Sequence, residues 1–245
     1  MMKKIFIFLL TAFSVGVQGQ TIKIAAAANL RLAMEEIKTR YIAANPDGRI
    51  ELTFGASGAL AQQIINGADF DLFMAADREF PDKLKAMGMV SGEVHVYALG
   101  KLIIWSNTLD VSKGMDILAG KLIKHIAVAQ PELAPYGDRA VECLKHYHLY
   151  DKVKDKLVYA GNVAQAAQFA KTGNAEVGFL AYALIVAPNM KGSYFVPDAQ
   201  SYRPVEQALV LIKKRKSNPE TTMFMNYVLS PACKTDFEKF GYSVR

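Results

Sequence analysis

From residue 22 onward, short apolar runs alternate with longer segments in which apolar positions recur every three or four residues. Short apolar runs of this kind predict buried strands, and the longer pattern predicts amphipathic helices. In the first part of the chain the pattern predicts strands at 22–26, 50–54, 71–75, 94–99 and 102–105, with helices at 30–44, 59–66 and 80–87.

The alternation continues through the second part of the chain. It predicts strands at 126–129, 157–160, 177–180 and 207–212, with helices at 139–148, 164–171, 221–229 and 232–240. Strands that alternate with helices are typical of parallel sheets covered by helices on both faces. The fold class is therefore predicted to be α/β.

Two strand–helix series of similar length predict two α/β lobes. The terminal helices are expected to return to the first lobe, so the chain crosses between lobes near 99–102 and again near 202–207. We therefore predict lobe I at 20–98 and 207–245, and lobe II at 99–206. Ligands of open α/β sheets lie at the carboxyl ends of the strands. Two lobes that face each other there form a cleft that can close by a hinge.

The first nineteen residues have the pattern of a secretory signal peptide. Lys3 and Lys4 precede an apolar run at 5–17, and the small residue Gly19 ends it. The run is shorter than the about 20 residues that a membrane span needs, although an N-terminal anchor remains the alternative. We predict cleavage after Gly19 and, in a bacterium, a periplasmic mature protein.

Composition and charge exclude several classes of protein. With 51% hydrophobic and 21% charged residues, the chain is neither disordered nor a coiled coil. The net charge of +6 includes Lys3 and Lys4, and the rest is spread along the chain, so no nucleic-acid partner is predicted. Two cysteines, Cys143 and Cys233, are too few for a disulfide scaffold. They could pair in an oxidising compartment, but unpaired thiols are favoured because spacing alone does not bring them together.

Two strand-to-helix junctions in the first series carry small or amide residues. Four alanines at 25–28 precede Asn29, which can cap the helix or offer its amide N–H groups. Ser57 lies at the start of the next helix between Gly55 and Gly58. Free main-chain N–H groups and the helix dipole make such a start an anion site, although each residue alone could be a simple N-cap.

Two junctions in the second series have the same character. The segment 131–137 contains Tyr136 and leads into the helix of Arg139, and Gly161 and Asn162 precede Val163. Asn162 is a good N-cap, and the Val163 N–H is among the unpaired donors of that first turn. Four such helix starts, two in each lobe, predict one anion site in the cleft.

At these segments the chain resembles the periplasmic molybdate-binding proteins of ABC transporters. The resemblance lies in 25–30, 54–60, 67–77, 131–137, 161–163 and 230–242, and so covers the mature chain. It implies a type II periplasmic-binding-protein fold with the ligand between the lobes. It also implies a monomer without cofactor that captures molybdate or tungstate and delivers it to an ABC permease in the inner membrane.

The resemblance also implies which residues bind the oxyanion. They are Asn29, where the family often has Ser, Ser57, Tyr136, where it often has Ala, and Val163. A further tyrosine ligand of the family aligns with Ala181, one residue before Tyr182, so the roles of these two positions stay open, as does that of Ala28. No direct metal ligand is predicted.

These groups are all donors, which suits a fully deprotonated tetrahedral dianion. The amide of Asn29, the hydroxyls of Ser57 and Tyr136 and main-chain N–H groups can donate, and no carboxylate is among them. Hydrogen phosphate brings a donor of its own, and a buried polar group without a partner costs about 1–3 kcal/mol. Molybdate, tungstate or sulfate is therefore favoured over hydrogen phosphate.

Two alternatives remain open. One is a receptor for sulfate or another tetrahedral oxyanion. The other is a secreted serine hydrolase with Ser57 as nucleophile, because residues 55–59 are close to a nucleophile elbow. Ala59 replaces the second glycine of that motif, and the last histidine, His148, precedes the final third of the chain. A binding protein without catalysis is therefore predicted.

Overall fold

The computed structural model describes residues 20–214 and 218–244, and the predicted signal peptide lies outside them. The strands are β1 Ile22–Ala27, β2 Ile50–Gly55, β3 Leu72–Ala75, β4 Val90–Gly100, β5 Leu102–Ser106, β6 Ile126–Ala129, β7 Leu157–Ala160, β8 Val177–Ala181, β9 Ser193–Phe195, β10 Val205–Ile212 and β11 Ser243–Val244. The α-helices are α1 Arg31–Ala44, α2 Ser57–Ile65, α3 Glu79–Ala86, α4 Pro135–His146, α5 Tyr150–Val153, α6 Val163–Thr172, α7 Tyr182–Ile185, α8 Pro219–Val228 and α9 Pro231–Lys239. Short 3-10 helices lie at Ala28–Leu30, Met115–Ala119, Lys154–Lys156 and Ala199–Ser201.

The first sheet has the strand order β11-β4-β10-β3-β1-β2. Strand β1 runs parallel to β2 and β3, whereas β10 is antiparallel to β3 and β4. The register places Ala27 opposite Gly55 and Ala26 opposite Met74. The chain segments that leave these strands therefore emerge side by side at one edge of the sheet.

The second sheet has the strand order β7-β6-β8-β5-β9. Strand β6 runs parallel to β7 and β8, and β5 is antiparallel to β8 and β9. Ala129 lies opposite Ala160, so the segments that lead into α4 and α6 also leave the sheet together. Each sheet with its helices forms one lobe of a two-lobe α/β fold.

The chain passes between the sheets at two places. Only Lys101 separates β4 of the first sheet from β5 of the second, and β10 re-enters the first sheet with Val205 opposite Gly100. The terminal helices return to the first lobe, where Asp236 of α9 pairs with Arg40 of α1. The lobe boundaries at 98/99 and 206/207 stay a prediction.

The structure refines the predicted elements in several places. A mostly parallel sheet was predicted in each lobe, and each sheet is mixed, because the strands at and beside the crossings run antiparallel to their neighbours. Helix α4 begins at Pro135 rather than at Arg139, since proline suits the first position of a helix. Strands β9 and β11 have three and two residues and were not predicted.

The buried core continues from one sheet to the other through small residues. One cluster of buried residues contains Ala28 and Ala56 from the first lobe together with Ala134, Tyr136 and Val163 from the second.

The thiols of Cys143 and Cys233 are both unpaired and buried. Within the described residues, no helix has the length and apolar character needed to cross a membrane.

Candidate functional site

A small cavity lies where the carboxyl ends of the parallel strands of the two sheets face each other. All four predicted site residues, Asn29, Ser57, Tyr136 and Val163, line it, and the rest of its wall includes Ala27, Ala28, Gly55, Ala56, Ala76 and Ala134. The space inside it is about 10 Å³, on the order of that needed for one water molecule, so it suits a small ion rather than an extended organic ligand.

The three positions that the sequence left open have different outcomes. Ala28 lines the cavity, whereas Ala181 and Tyr182 are not among the described residues that do. The Tyr182 ring instead packs against Tyr194, with ring centroids 5.6 Å apart, and against Gly241. A Cβ atom at Gly241 would collide with that ring, and the residue also has a positive φ of 80°.

In the first lobe, two helices begin at the cavity without a side-chain cap. The 3-10 helix Ala28–Leu30 follows Ala27 and leads directly into α1, and α2 begins at Ser57 after Ala56. Neither N-cap residue makes a side-chain cap bond. The first N–H groups of a helix have no partner within it, so these starts present free donors and the positive end of the helix dipole.

The Ser57 hydroxyl is oriented by the main chain of the next strand end. Its Oγ accepts a hydrogen bond from the Ala76 N–H at 3.0 Å, and the side chain is buried. A hydroxyl that accepts one bond still has its hydrogen to donate. Ser57 is therefore a positioned donor rather than an N-cap.

In the second lobe, α4 and α6 begin at the same cavity. Helix α4 starts with Pro135, which has no N–H, and its N-cap Ala134 makes no side-chain cap bond. Asn162 is the N-cap of α6, and its Oδ1 accepts from the N–H groups of Ala164 and Gln165, both at 3.0 Å. Because these two bonds bypass Val163, its N–H is available to a ligand.

The Tyr136 hydroxyl is a second side-chain donor. It is buried, and no described residue makes a hydrogen bond with it. Burial raises the pKa of Tyr136 well above its ordinary value, with smaller contributions from Tyr242, Tyr202 and Tyr97. The phenol therefore stays protonated, and its hydrogen has no acceptor among the described residues.

Asn29 is arranged differently from the sequence expectation. Its amide Nδ2 donates to Oε1 of Gln207 at 2.8 Å and to the hydroxyl of Tyr242 at 2.9 Å. Both amide hydrogens are thus used inside the protein, and its Oδ1 is buried without a partner among the described residues. What Asn29 presents as a free donor is the main-chain N–H of its helix start.

Sequence reasoning missed Gln207 and Tyr242 as neighbours of the site. They lie 178 and 213 residues from Asn29 along the chain, so no local pattern marks them. Both are buried, and Tyr242 also donates to the Asn29 main-chain oxygen at 2.9 Å.

Charged residues lie beside the cavity rather than in it. No described lining residue carries a charged side chain or an imidazole. The nearby Asp77, next to Ala76, is buried and caps α3 by accepting from the Phe80 N–H at 3.2 Å. Burial raises the pKa of Asp77 to about 6, against the lowering effect of that hydrogen bond. The cavity itself therefore offers neutral donors and helix dipoles to an anion.

Contacts across the cleft close the structure around the cavity. The Gly58 N–H donates to the Leu133 oxygen at 2.8 Å. Glu79 of α3 pairs with Arg203 at 2.6 Å and with the buried Arg139 of α4 at 3.5 Å. A main-chain hydrogen bond and a group of ion pairs at the rim thus add to the buried contacts between the lobes.

The described residues contain no group of three or more histidine, cysteine, aspartate or glutamate side chains placed to hold a metal ion. Cys143 of α4 lies in the core, where its Sγ is 3.4 Å from the Ser201 Oγ. Burial raises the pKa of this thiol to about 11, so it remains protonated.

Comparison with known proteins covers almost the whole described chain. The family model for bacterial extracellular solute-binding proteins matches residues 22–243. The molybdate-binding protein ModA of Azotobacter vinelandii is 34% identical over 232 residues, 93% of this chain and 92% of that protein. ModA of Rhodobacter capsulatus is 32% identical over 219 residues, 89% and 86% of the two chains. The solved structure of the A. vinelandii periplasmic molybdate-binding protein matches with a TM-score of 0.86 at 31% identity, covering 91% of this chain and 99% of that one.

Proposed function

The chain belongs to the bacterial extracellular solute-binding proteins, and within them to the molybdate-binding proteins, and we propose that it captures molybdate, and also tungstate, for an ABC importer. One observation carries this proposal. Four helix starts, two from each lobe, meet at a cavity whose described lining has no charged side chain. Such an arrangement supports a bare dianion through hydrogen-bond donors and helix dipoles.

Each proposed ligand residue contributes a defined donor. Ser57 and Tyr136 donate through their hydroxyls, and Val163 donates through its main-chain N–H. Asn29 also donates through its main-chain N–H, since its amide hydrogens are bound to Gln207 and Tyr242. Hydrogen bonds to a charged group contribute about 1.5–3 kcal/mol each, so four of them support tight binding without a lysine or arginine.

The alternatives fit the site less well. A sulfate receptor would use the same donors and differ only in cavity size, which makes it the second candidate. A serine hydrolase needs a base next to Ser57, whereas the Ser57 Oγ accepts from a main-chain N–H and the described lining contains no histidine. The relatives are binding proteins rather than enzymes.

The rest of the proposal concerns the export of the protein, its location and its partner. We propose that residues 1–19 direct export and are removed, that the mature protein acts in the periplasm as a monomer, and that its partner is the permease of an ABC importer in the inner membrane. No cofactor is needed, because capture and release of an oxyanion involve no covalent chemistry.

Calorimetric titration of the mature chain tests the ligand. We expect saturable binding of molybdate and tungstate at one site per chain, weaker binding of sulfate, and none of phosphate at neutral pH. Preference for sulfate over molybdate would favour the second candidate. Absence of binding for all four anions would contradict the proposal.

A further inference from the structure

Tyr242, which lies near the end of the chain, contacts Asn29 twice. Its hydroxyl accepts from the Asn29 Nδ2 and donates to the Asn29 main-chain oxygen, both at 2.9 Å. One phenol oxygen thus holds both the side chain and the backbone of the same residue. Asn29 belongs to the 3-10 helix Ala28–Leu30 at the cavity, so these two hydrogen bonds fix the orientation of that helical turn.

Gln207 completes the attachment of Asn29 from the strand that re-enters the first sheet. Its Oε1 accepts from the Asn29 Nδ2 at 2.8 Å, and its Nε2 donates to the Val205 oxygen at 3.2 Å. A Cβ atom at Gly100 would collide with the Tyr136 hydroxyl and lie 3.0 Å from the Gln207 Nε2. Gln207 and Tyr136 therefore both lie against Gly100, the last residue of β4.

The position of Tyr242 is itself well determined. Its N–H donates to the Phe237 oxygen at 3.0 Å, and its ring packs edge-on against the Phe237 ring at 5.7 Å. The next residue, Ser243, pairs with Leu99 in the antiparallel β11–β4 ladder. The chain is thus held in place on both sides of Tyr242, and these contacts fix the position of the Tyr242 hydroxyl.

We propose that Tyr242 and Gln207 are positioning residues of the anion site, which act through Asn29 and make the C-terminal segment part of the binding apparatus. The inference rests on the proposed function and extends it. Neither residue is among the described residues that line the cavity. They hold the first helical turn that contains Asn29 in the orientation that binds the anion, even when no anion is bound. Donors that are fixed in advance bind more tightly than donors that must first be ordered.

The variant Tyr242→Phe tests the two hydrogen bonds between Tyr242 and Asn29, because it removes the hydroxyl and keeps the ring. Two hydrogen bonds to Asn29 are lost, and we expect the affinity for molybdate to fall about three- to tenfold. Tyr97→Phe is the matched control. Tyr97 is buried in the same aromatic group, 4.9 Å from the Phe237 ring, and its hydroxyl has no hydrogen-bond partner among the described residues. It should leave the affinity unchanged.

A double-mutant cycle separates positioning from a general effect on folding. Gln207→Met removes the acceptor of the Asn29 amide while keeping the length of the side chain, and should weaken molybdate binding about threefold or more in the wild-type background. In an Asn29→Ala background there is no amide to hold, so Gln207→Met should then change the affinity by less than twofold. A merely structural role would give the same loss in both backgrounds.

The melting temperature of each variant without ligand shows whether it folds, and the titration of the wild type separates the two proposals. A wild type that binds molybdate, with Tyr242→Phe and Gln207→Met binding equally well, would overturn the positioning role and leave the proposed function intact. A wild type that binds none of the oxyanions would overturn both.

Discussion

At the residue scale, the proposed site contains side-chain hydroxyls whose hydrogens have no acceptor among the described residues. The Tyr136 hydroxyl is buried without a partner among the described residues, and the Ser57 hydroxyl accepts one bond and keeps its hydrogen. Burying an unsatisfied polar group costs about 1–3 kcal/mol, so such groups are expected where a ligand will supply the partner.

Tyr136→Phe should therefore move stability and affinity in opposite directions. Removing a buried hydroxyl without a partner should leave the melting temperature of the free protein unchanged or slightly higher. Removing a donor to a dianion should weaken molybdate binding about tenfold or more. Thermal unfolding and calorimetry on the same preparation measure the change in melting temperature and the change in molybdate affinity. A variant that is less stable without ligand but binds normally would show that the hydroxyl has a structural partner instead.

Ser57→Ala should weaken molybdate binding about ten- to a hundredfold, because a hydrogen bond to a charged group contributes about 1.5–3 kcal/mol. Stability should fall by only about 1 kcal/mol, since the Ala76 N–H loses its acceptor. Ser201→Ala is a suitable control, because Ser201 is equally buried and donates to the Asp198 oxygen instead. Equal molybdate affinities for the two variants would show that Ser57 does not bind the anion.

Asp77 predicts a specific pH dependence of stability. Its pKa in the folded protein is raised to about 6 by burial, above the ordinary value of 3.8. The folded state therefore binds this proton more tightly than the unfolded state, and the stability that it contributes is present below about pH 4 and is lost as the pH rises to about 6. Two pKa units correspond to about 2–3 kcal/mol at most.

Urea unfolding of wild type and Asp77→Asn at pH 4, 5, 6 and 7 measures this contribution as a difference. The asparagine can still accept from the Phe80 N–H. The stability of the variant relative to wild type should increase with pH and level off above about pH 6. A constant difference across this range would mean that Asp77 does not titrate there.

At the scale of elements, the site depends on where helices begin. Each of the four helix starts follows a strand end, and small residues on both sides let the main chain approach a ligand. Of these four starts, only that of α6 has a side-chain cap, and that cap leaves out the residue proposed to bind. The first turns at the cavity therefore keep N–H groups that no side chain caps.

Asn162→Ala should both destabilise the protein and weaken anion binding. Loss of an N-cap costs about 0.5–2 kcal/mol, and the first turn that carries Val163 would become less ordered. Asn218→Ala removes the same kind of cap from α8, which is not at the cavity. Both variants should lose similar stability in urea, but only Asn162→Ala should lose molybdate affinity. Equal binding by both would show that capping of α6 is irrelevant to the site.

At the scale of the whole molecule, the donors are divided between two lobes that meet around the cavity. The rim pair of Glu79 and Arg203 is 61% and 54% exposed, and ion pairs of this kind contribute only about 0–1 kcal/mol. This exposed ion pair therefore contributes little to holding the cleft closed. An anion that reaches both sets of donors only when the cleft is closed must shift the population toward the closed form.

Small-angle scattering with and without molybdate tests this closure. The radius of gyration should decrease on binding, and the melting temperature should rise with ligand excess as mass action requires. Sodium chloride at matched ionic strength is the control for a general salt effect. Tight binding with an unchanged scattering curve would contradict the hinge while leaving the ligand assignment standing.

Most of the secondary structure and the position of the cavity were accessible from the sequence, because both depend on local patterns. Apolar periodicity locates the strands and helices, and glycine, alanine and amide residues at strand ends mark the helix starts. The carboxyl ends of neighbouring parallel strands necessarily lie together, so Asn29 and Ser57 were expected at one edge, and Tyr136 and Val163 at another. The structure brings all four to one cavity.

What only the tertiary structure decided are the contacts between residues far apart in the chain. The mixed direction of the strands depends on where the chain crosses between sheets, and the bonds that occupy the Asn29 amide come from residues 178 and 213 positions away. The raised pKa of Asp77 depends mainly on burial, which tertiary packing decides. Local patterns determine which groups can donate to an anion, whereas long-range packing determines which of their hydrogens are still free.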